Sequence, residues 1–111
     1  MSNRYHNDLN AARLTAGVVA YAFDLDERAI LAASRGNQHL ARARQVAMYL
    51  AHVSFGMSLA RVASAFGRDR STVAHACHVI EDWREDTSFD IWLERLETSL
   101  GILVPLNEIA A

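Results

Sequence analysis

Apolar residues recur at three- and four-residue intervals through most of the chain, and the intervals break at short polar or glycine-bearing stretches. That period belongs to α-helices with one buried face. A first helix is predicted from about Asp8 to Ala22, with Leu9, Leu14, Val18, Val19 and Ala22 or Phe23 on its inner side. Asp26 offers an N-cap for a short helix through Ala33. The stretch Ser34-Arg35-Gly36-Asn37-Gln38 reads as a loop. A longer helix follows from about Ala41 to Ser54, with Val46, Leu50 and Val53 inward and Gly56 as its stop. Ser58 caps a short helix, Leu59 to Phe66, whose Leu59, Val62, Ala63 and Phe66 point inward, and Gly67 breaks it. Asp69 or Ser71 begins a helix to about Asp86, with Val73, Ala76 or Cys77, Ile80 and Trp83 as its buried stripe. Ser88 caps a last amphipathic helix through Phe89, Trp92, Leu93, Leu96 and Leu100, with Gly101 as a C′ residue. The expected fold is therefore all-α, a compact domain of five to six helices over residues 1–101. Trp83, Phe89 and Trp92 belong to its core. An apolar tail, residues 102–111, follows, and its Pro105 disfavours another helix.

Composition supports a single folded domain. The chain has 111 residues, 51% of them hydrophobic and 22% charged, enough to bury a core without metal or disulfide staples. One proline and five glycines disfavour a turn-dense β fold. The single cysteine, Cys77, excludes an internal disulfide and any four-cysteine metal site, and its place on an apolar stripe makes it a core residue. No apolar run has the length of a membrane span, and the chain starts polar rather than as a signal peptide. A cytoplasmic, nucleoid-associated protein is expected.

The net charge of −2 conceals an asymmetry. Residues 35–80 carry six arginines against one acid, Asp69, and four of the five histidines. Residues 81–111 carry eight acids against Arg84 and Arg95. There is no lysine, so arginine is the only permanent cation available for phosphate.

The basic segment holds the chemistry. A short capped helix, a glycine turn and a longer helix over about residues 59–84 form a helix-turn-helix arrangement, in which the second helix enters the major groove by its N-terminal end. Arg68 and Arg70 lie at that start, within reach of phosphate or guanine. Ser71 and Thr72 add hydroxyls and free backbone N–H groups, which attract phosphate. Ser71, His75 and His78 are four and three residues apart and line one face, opposite Val73, Cys77 and Ile80. Asp69 is expected both to cap the helix and to orient Arg68 or Arg70.

These blocks carry a resemblance. Ala41-Arg42-Ala43-Arg44-Gln45-Val46-Ala47-Met48-Tyr49-Leu50, then Ser58-Leu59, then Phe66-Gly67-Arg68-Asp69-Arg70-Ser71-Thr72-Val73, and finally His75-Ala76-Cys77 and Ile80 occur in the order of the C-terminal DNA-binding domain of DnaA, the bacterial replication initiator. The likeness covers roughly residues 15–100. It implies that Arg68, Asp69, Arg70, Ser71, Thr72 and His75 read bases; Ser58 and His78 are expected in the same DNA-binding interface. It implies that Arg44 and Gln45 hold backbone, and that Arg35, in the preceding loop, is the minor-groove candidate. The sequence departs from the family pattern in having one glycine before Arg68, Arg70 in place of a histidine, Ser71 in place of a threonine, and a loop nearly stripped of arginines. The major-groove chemistry is altered accordingly.

No GxxxxGK[ST] phosphate loop is present, and with no lysine there can be no P-loop lysine. No nucleophile–base pair or metal cluster is evident. The expectation is a non-enzymatic, cofactor-free, sequence-specific binder of double-stranded DNA without ATPase. It would regulate transcription or replication initiation, either as an activator working with a partner protein, as in gene-transfer-agent activators, or as a DnaA-related replication regulator. The alternative is a module that keeps the DnaA-like fold but binds a protein. A protein partner or homodimer contact is expected through the last helix and tail, about Phe89 to Ile109, because exposed aliphatic residues mark interfaces and a lone recognition helix buries little surface on DNA.

Overall fold

The structure, a computed structural model, describes residues 3–33 and 36–103. These form α1 (Asn3–Phe23), α2 (Glu27–Leu31), α3 (Gln38–Ser54), α4 (Leu59–Phe66), α5 (Arg70–Trp83) and α6 (Thr87–Ile102), with no strand among the described residues. The all-α expectation holds.

The hub is α3, which buries Leu40, Ala43, Arg44 and every residue from Val46 to Ala51. It packs against all five other helices. Its alanines at 43, 47 and 51 form a four-residue row, and α1 buries a matching row of Ala12, Ala16 and Ala20. Rows of this spacing allow close ridge-and-groove packing. Leu50, Met57, Ile80 and Leu93 are fully buried around this contact, each worth about 1.5–3 kcal/mol.

Helix ends follow local chemistry. Asp26, Asn37, Ser58 and Asp86 accept backbone N–H bonds from Arg28, Leu40, Arg61 and Phe89 and so cap α2, α3, α4 and α6. Gly67 closes α4 in the left-handed region at φ 65°, where a side chain is disfavoured, and Arg68 N–H then bonds the Ala63 carbonyl at 2.9 Å. Polar ties fix the periphery. Arg61 forms a two-pronged pair with buried Asp8, at 2.6 and 3.0 Å, joining α4 to α1. Arg84 bridges Tyr49 of α3 to Asp90 and Glu97 of α6.

Several expectations need correction. The first helix starts at Asn3 rather than near Asp8, and its buried row is Asp8, Ala12, Thr15, Ala16, Val19 and Ala20, leaving Leu9, Leu14 and Val18 half-covered. The short alanines win the inner face because α3 approaches so closely. Helix α3 begins at Gln38, one turn early, because Asn37 caps it. Asp86 rather than Ser88 caps α6. Gly101 lies inside α6, which runs on to Ile102. Trp83 is 46% exposed rather than core. It is the last residue of α5, with the Arg42 guanidinium 4.4 Å over its ring and Phe89 beside it. Ile102 and Leu103 are exposed, and the rest of the expected tail lies outside the described residues.

Candidate nucleic-acid interface

The motif is built from α4, the Gly67 turn and α5. Val73, Ala76 and Ile80 anchor α5 in the core. This leaves Arg70, Ser71, Thr72, His75 and His78 exposed along its first turns. The expected face is thus on one side of one helix. Asp69 occupies the N-cap position, but its carboxylate makes no capping bond. Nor does it bond Arg68 or Arg70 among the described residues, so it does not orient either. The first N–H groups of α5 consequently remain open to an acceptor from outside. Ser58 is exposed at the start of α4, where its Oγ accepts from Arg61 N–H and keeps its own proton to donate. His78 lies 3.6 Å from Asp82, one turn on, at the acidic end of the helix.

Beside α5 runs a cleft of about 410 Å³. Gly36, Asn37 and Gln38 at the start of α3 supply one part of its wall, Arg68 and Thr72 at the start of α5 supply another, and Arg44 and Gln45 of α3 also line it. Gln45 is half-buried and accepts from Arg42 at 3.2 Å. Two helix starts, those of α3 and α5, therefore flank one opening, and both bias it towards anions. Asn37 and Gln38 were not singled out in the sequence; the Asn37 cap position beside a polar loop was the available signal.

Arg44 lines this cleft but is largely buried. It is 7% exposed, and its guanidinium donates to the carbonyls of Ala29 at 2.7 Å, Ile30 at 2.9 Å and Ala32 at 3.1 Å. These bonds tie Arg44 to the end of α2. Burial, and then the neighbouring Arg68 charge, push its pKa down. Arg68 is also engaged, donating through Nη2 to the same Ala32 carbonyl at 2.7 Å. Arg35 lies outside the described residues.

The wider basic segment is similarly committed. Arg61 pairs with Asp8, and Arg42 stacks on Trp83. His39 and His52 face the carbonyls of Phe23 and Met57 at 2.8 and 2.6 Å. Arg70 carries no described hydrogen bond or ion pair, which leaves its guanidinium open to a ligand.

The sequence profile of the bacterial DnaA protein helix-turn-helix matches residues 15–80, from the second half of α1 through most of α5. The chain belongs to the DnaA helix-turn-helix family. It is 40% identical over 85 residues to the chromosomal replication initiator protein DnaA of Bacteroides fragilis, covering 75% of this chain and 18% of that protein. Against the DnaA of Pseudothermotoga lettingae it is 33% identical over 82 residues, 74% of this chain and 18% of that one. A crystal structure of a DNA replication initiation factor superposes with a TM-score of 0.79 at 27% identity, over 89% of this chain and 30% of that one. The replication initiator DnaA bound to AMPPCP and single-stranded DNA gives 0.77 with the same identity and coverage. This DnaA-type domain thus spans about a fifth of the length of the curated relatives it matches. The region shared is the helix-turn-helix. No helix among the described residues is long and apolar enough to cross a membrane.

Proposed function

We propose that this DnaA-type domain is a sequence-specific reader of double-stranded DNA that regulates transcription or replication initiation, its residues supplying recognition rather than nucleotide hydrolysis. The observation that carries this reading is the exposed N-terminal face of α5. Arg70, Ser71, Thr72 and His75 stand on an apolar anchor with open backbone donors beneath them. Laid in the major groove, Arg70 has the fork that fits guanine O6 and N7, and His75 lies one turn beyond Ser71 on the exposed side of the helix. The cleft between Asn37–Gln38 and Thr72 then meets the sugar–phosphate backbone, with Gln45 and Ser58 as further backbone donors. The test is selection of duplexes from a random pool by the purified protein, followed by binding isotherms on the selected and a scrambled duplex across a salt series. Discrimination between the two, with log K falling linearly in log salt, is expected. Equal affinity for both would refute sequence reading.

A second reading, a module that binds protein, is favoured by one specific feature. Helices α1 and α6 are separated by a groove of about 710 Å³ walled by Leu14, Val18, Trp92 and Leu96, and Tyr21 at its edge is 90% exposed. Duplex binding absent at every salt concentration, together with self-association in sedimentation equilibrium, would favour that reading.

A further inference from the structure

The five-residue helix α2 ends in carbonyls that find few partners within it, the Ala32 N–H reaching back to Ala29 at a long 3.4 Å. Two arginines from distant parts of the chain meet them. Arg44 reaches from α3 to Ala29, Ile30 and Ala32, and Arg68 reaches from the α4–α5 turn to Ala32, 36 residues away in sequence. A single backbone oxygen, that of Ala32, thus receives a guanidinium from the hub helix and another from the helix-turn-helix. Two like charges converge there, which is tolerable because the C-terminal carbonyls of a helix carry partial negative charge. The remaining contacts of Arg68 are long and local, from Nη1 to the carbonyls of Phe66 at 3.4 Å and Gly67 at 3.5 Å. Both terminal nitrogens are turned towards protein carbonyls, which is not the geometry of a fork offered to a base edge.

We infer that Arg68 is a positioning residue: by gripping the Ala32 carbonyl beside Arg44, it holds the end of α2 against the turn that leads into α5. It thereby sets the distance between the two walls of the cleft. This inference rests on the reading of that face as a duplex-DNA surface. Both arginines line the cleft. Asn37 and Gln38 stand on the side that follows Ala32, and Thr72 on the side that follows Arg68. A change in the Ala32–Arg68 contact therefore alters the spacing of groups that must meet adjacent parts of one duplex. Misplacing two contact surfaces weakens discrimination at several base pairs together. Loss of a base reader weakens it at one.

Arg68→Ala and Arg68→Lys, compared with the unaltered protein, separate these roles. The probes are the duplex selected from the random pool and a scrambled duplex of the same composition. For Arg68→Ala, losing one charge-assisted bond predicts about 10-fold weaker binding to the selected duplex. Preference should weaken at several base pairs in parallel, and the slope of log K on log salt should be unchanged. In the free protein, the amide hydrogens of Leu40 and Ala41, both bonded to Asn37, should exchange faster. Arg68→Lys, which returns one donor to the Ala32 carbonyl, should recover part of the affinity and slow that exchange again. Three results would overturn the inference: preference lost at a single base pair, a salt slope reduced by about 0.9, the mark of one phosphate contact, or unaltered exchange at Leu40 and Ala41. If the unaltered protein selects no duplex, the DNA reading is what fails, and the exchange measurement still decides whether Arg68 holds the cleft.

Discussion

Replacing Arg44 with methionine separates a structural arginine from a DNA-binding one. Methionine keeps much of the aliphatic stem and its packing against α2, and removes every donor. Three carbonyl oxygens, of Ala29, Ile30 and Ala32, then lose bonds of 2.7, 2.9 and 3.1 Å. Hydrogen bonds to a charged group are worth about 1.5–3 kcal/mol each. Two terms oppose the loss: a guanidinium that is 7% exposed no longer has to be desolvated, and Ala32 keeps its bond from Arg68. A net destabilisation of about 2–4 kcal/mol remains, lowering Tm by roughly 10–20 °C for a domain of this size. Thermal melts followed by circular dichroism measure the first effect, and anisotropy titrations across a salt series, run well below Tm, measure the second. The expected pair of results is a large fall in Tm with an unchanged salt slope. A Tm within about 3 °C of the parent, or a slope reduced by about 0.9 in the folded protein, would refute the structural role and restore a phosphate contact.

Further outcomes follow from other parts of the molecule. Arg70→Ala and His75→Ala should each weaken binding to the selected duplex by about 1–3 kcal/mol, and weaken the scrambled duplex far less; equal losses on both duplexes would remove the reading role. The Tyr49 phenol is pushed up to about 12, chiefly by burial and then by its bond to Glu81. A tyrosine whose folded pKa is raised above its ordinary 10.0 contributes stability that is fully present below pH 10 and lost as pH rises towards 12. Ultraviolet titration should show one tyrosine ionising near the top of that window, absent in Tyr49→Phe, and melts of the variant should fall less steeply across it; a titration identical in both proteins would contradict the assignment. Gly67→Ala meets no atom within 4 Å, so its cost is that of the left-handed backbone alone. That cost is about 1–2 kcal/mol, read as a Tm fall of roughly 5–10 °C, and an unchanged Tm would show that the turn relaxes.

The helix-turn-helix was the most legible part of the fold because each boundary carries its own signal. Ser58 caps α4, Gly67 supplies the left-handed turn, and Val62, Phe66, Val73, Ala76 and Ile80 keep helical spacing across both helices. Helix α1 was legible as a helix but not in its orientation. Its inner face is built from Ala12, Thr15, Ala16 and Ala20, with Asp8 paired to Arg61 from another helix. Hydropathy ranks Leu9, Leu14 and Val18 above all of these. Closeness to α3 selects small side chains instead, and that closeness is a property of the pair rather than of either sequence. Trp83 shows the converse: a large apolar ring at a helix end can stay half in water when an arginine covers one face.

Within the site, the face of Ser71, His75 and His78 followed from spacing alone, whereas the disposition of the arginines did not. A charge count sees carboxylates but not backbone carbonyls. Arg44 and Arg68 look unopposed in the sequence, yet both are held by the end of α2, and Arg42 is covered by an aromatic ring. Periodicity did contain a warning for Arg44, which sits four residues after Leu40 and three before Ala47 on the buried side of α3. Of the five described arginines in the basic segment, Arg70 is the one with neither hydrogen bond nor ion pair. Non-specific affinity scales with the number of phosphates neutralised by mobile cations. A surface that keeps so few of them available therefore gains little from electrostatics alone. On the proposed DNA-reading role, discrimination rests on the short row of Arg70, Ser71, Thr72 and His75, and on how rigidly the rest of the arginines hold that row in register.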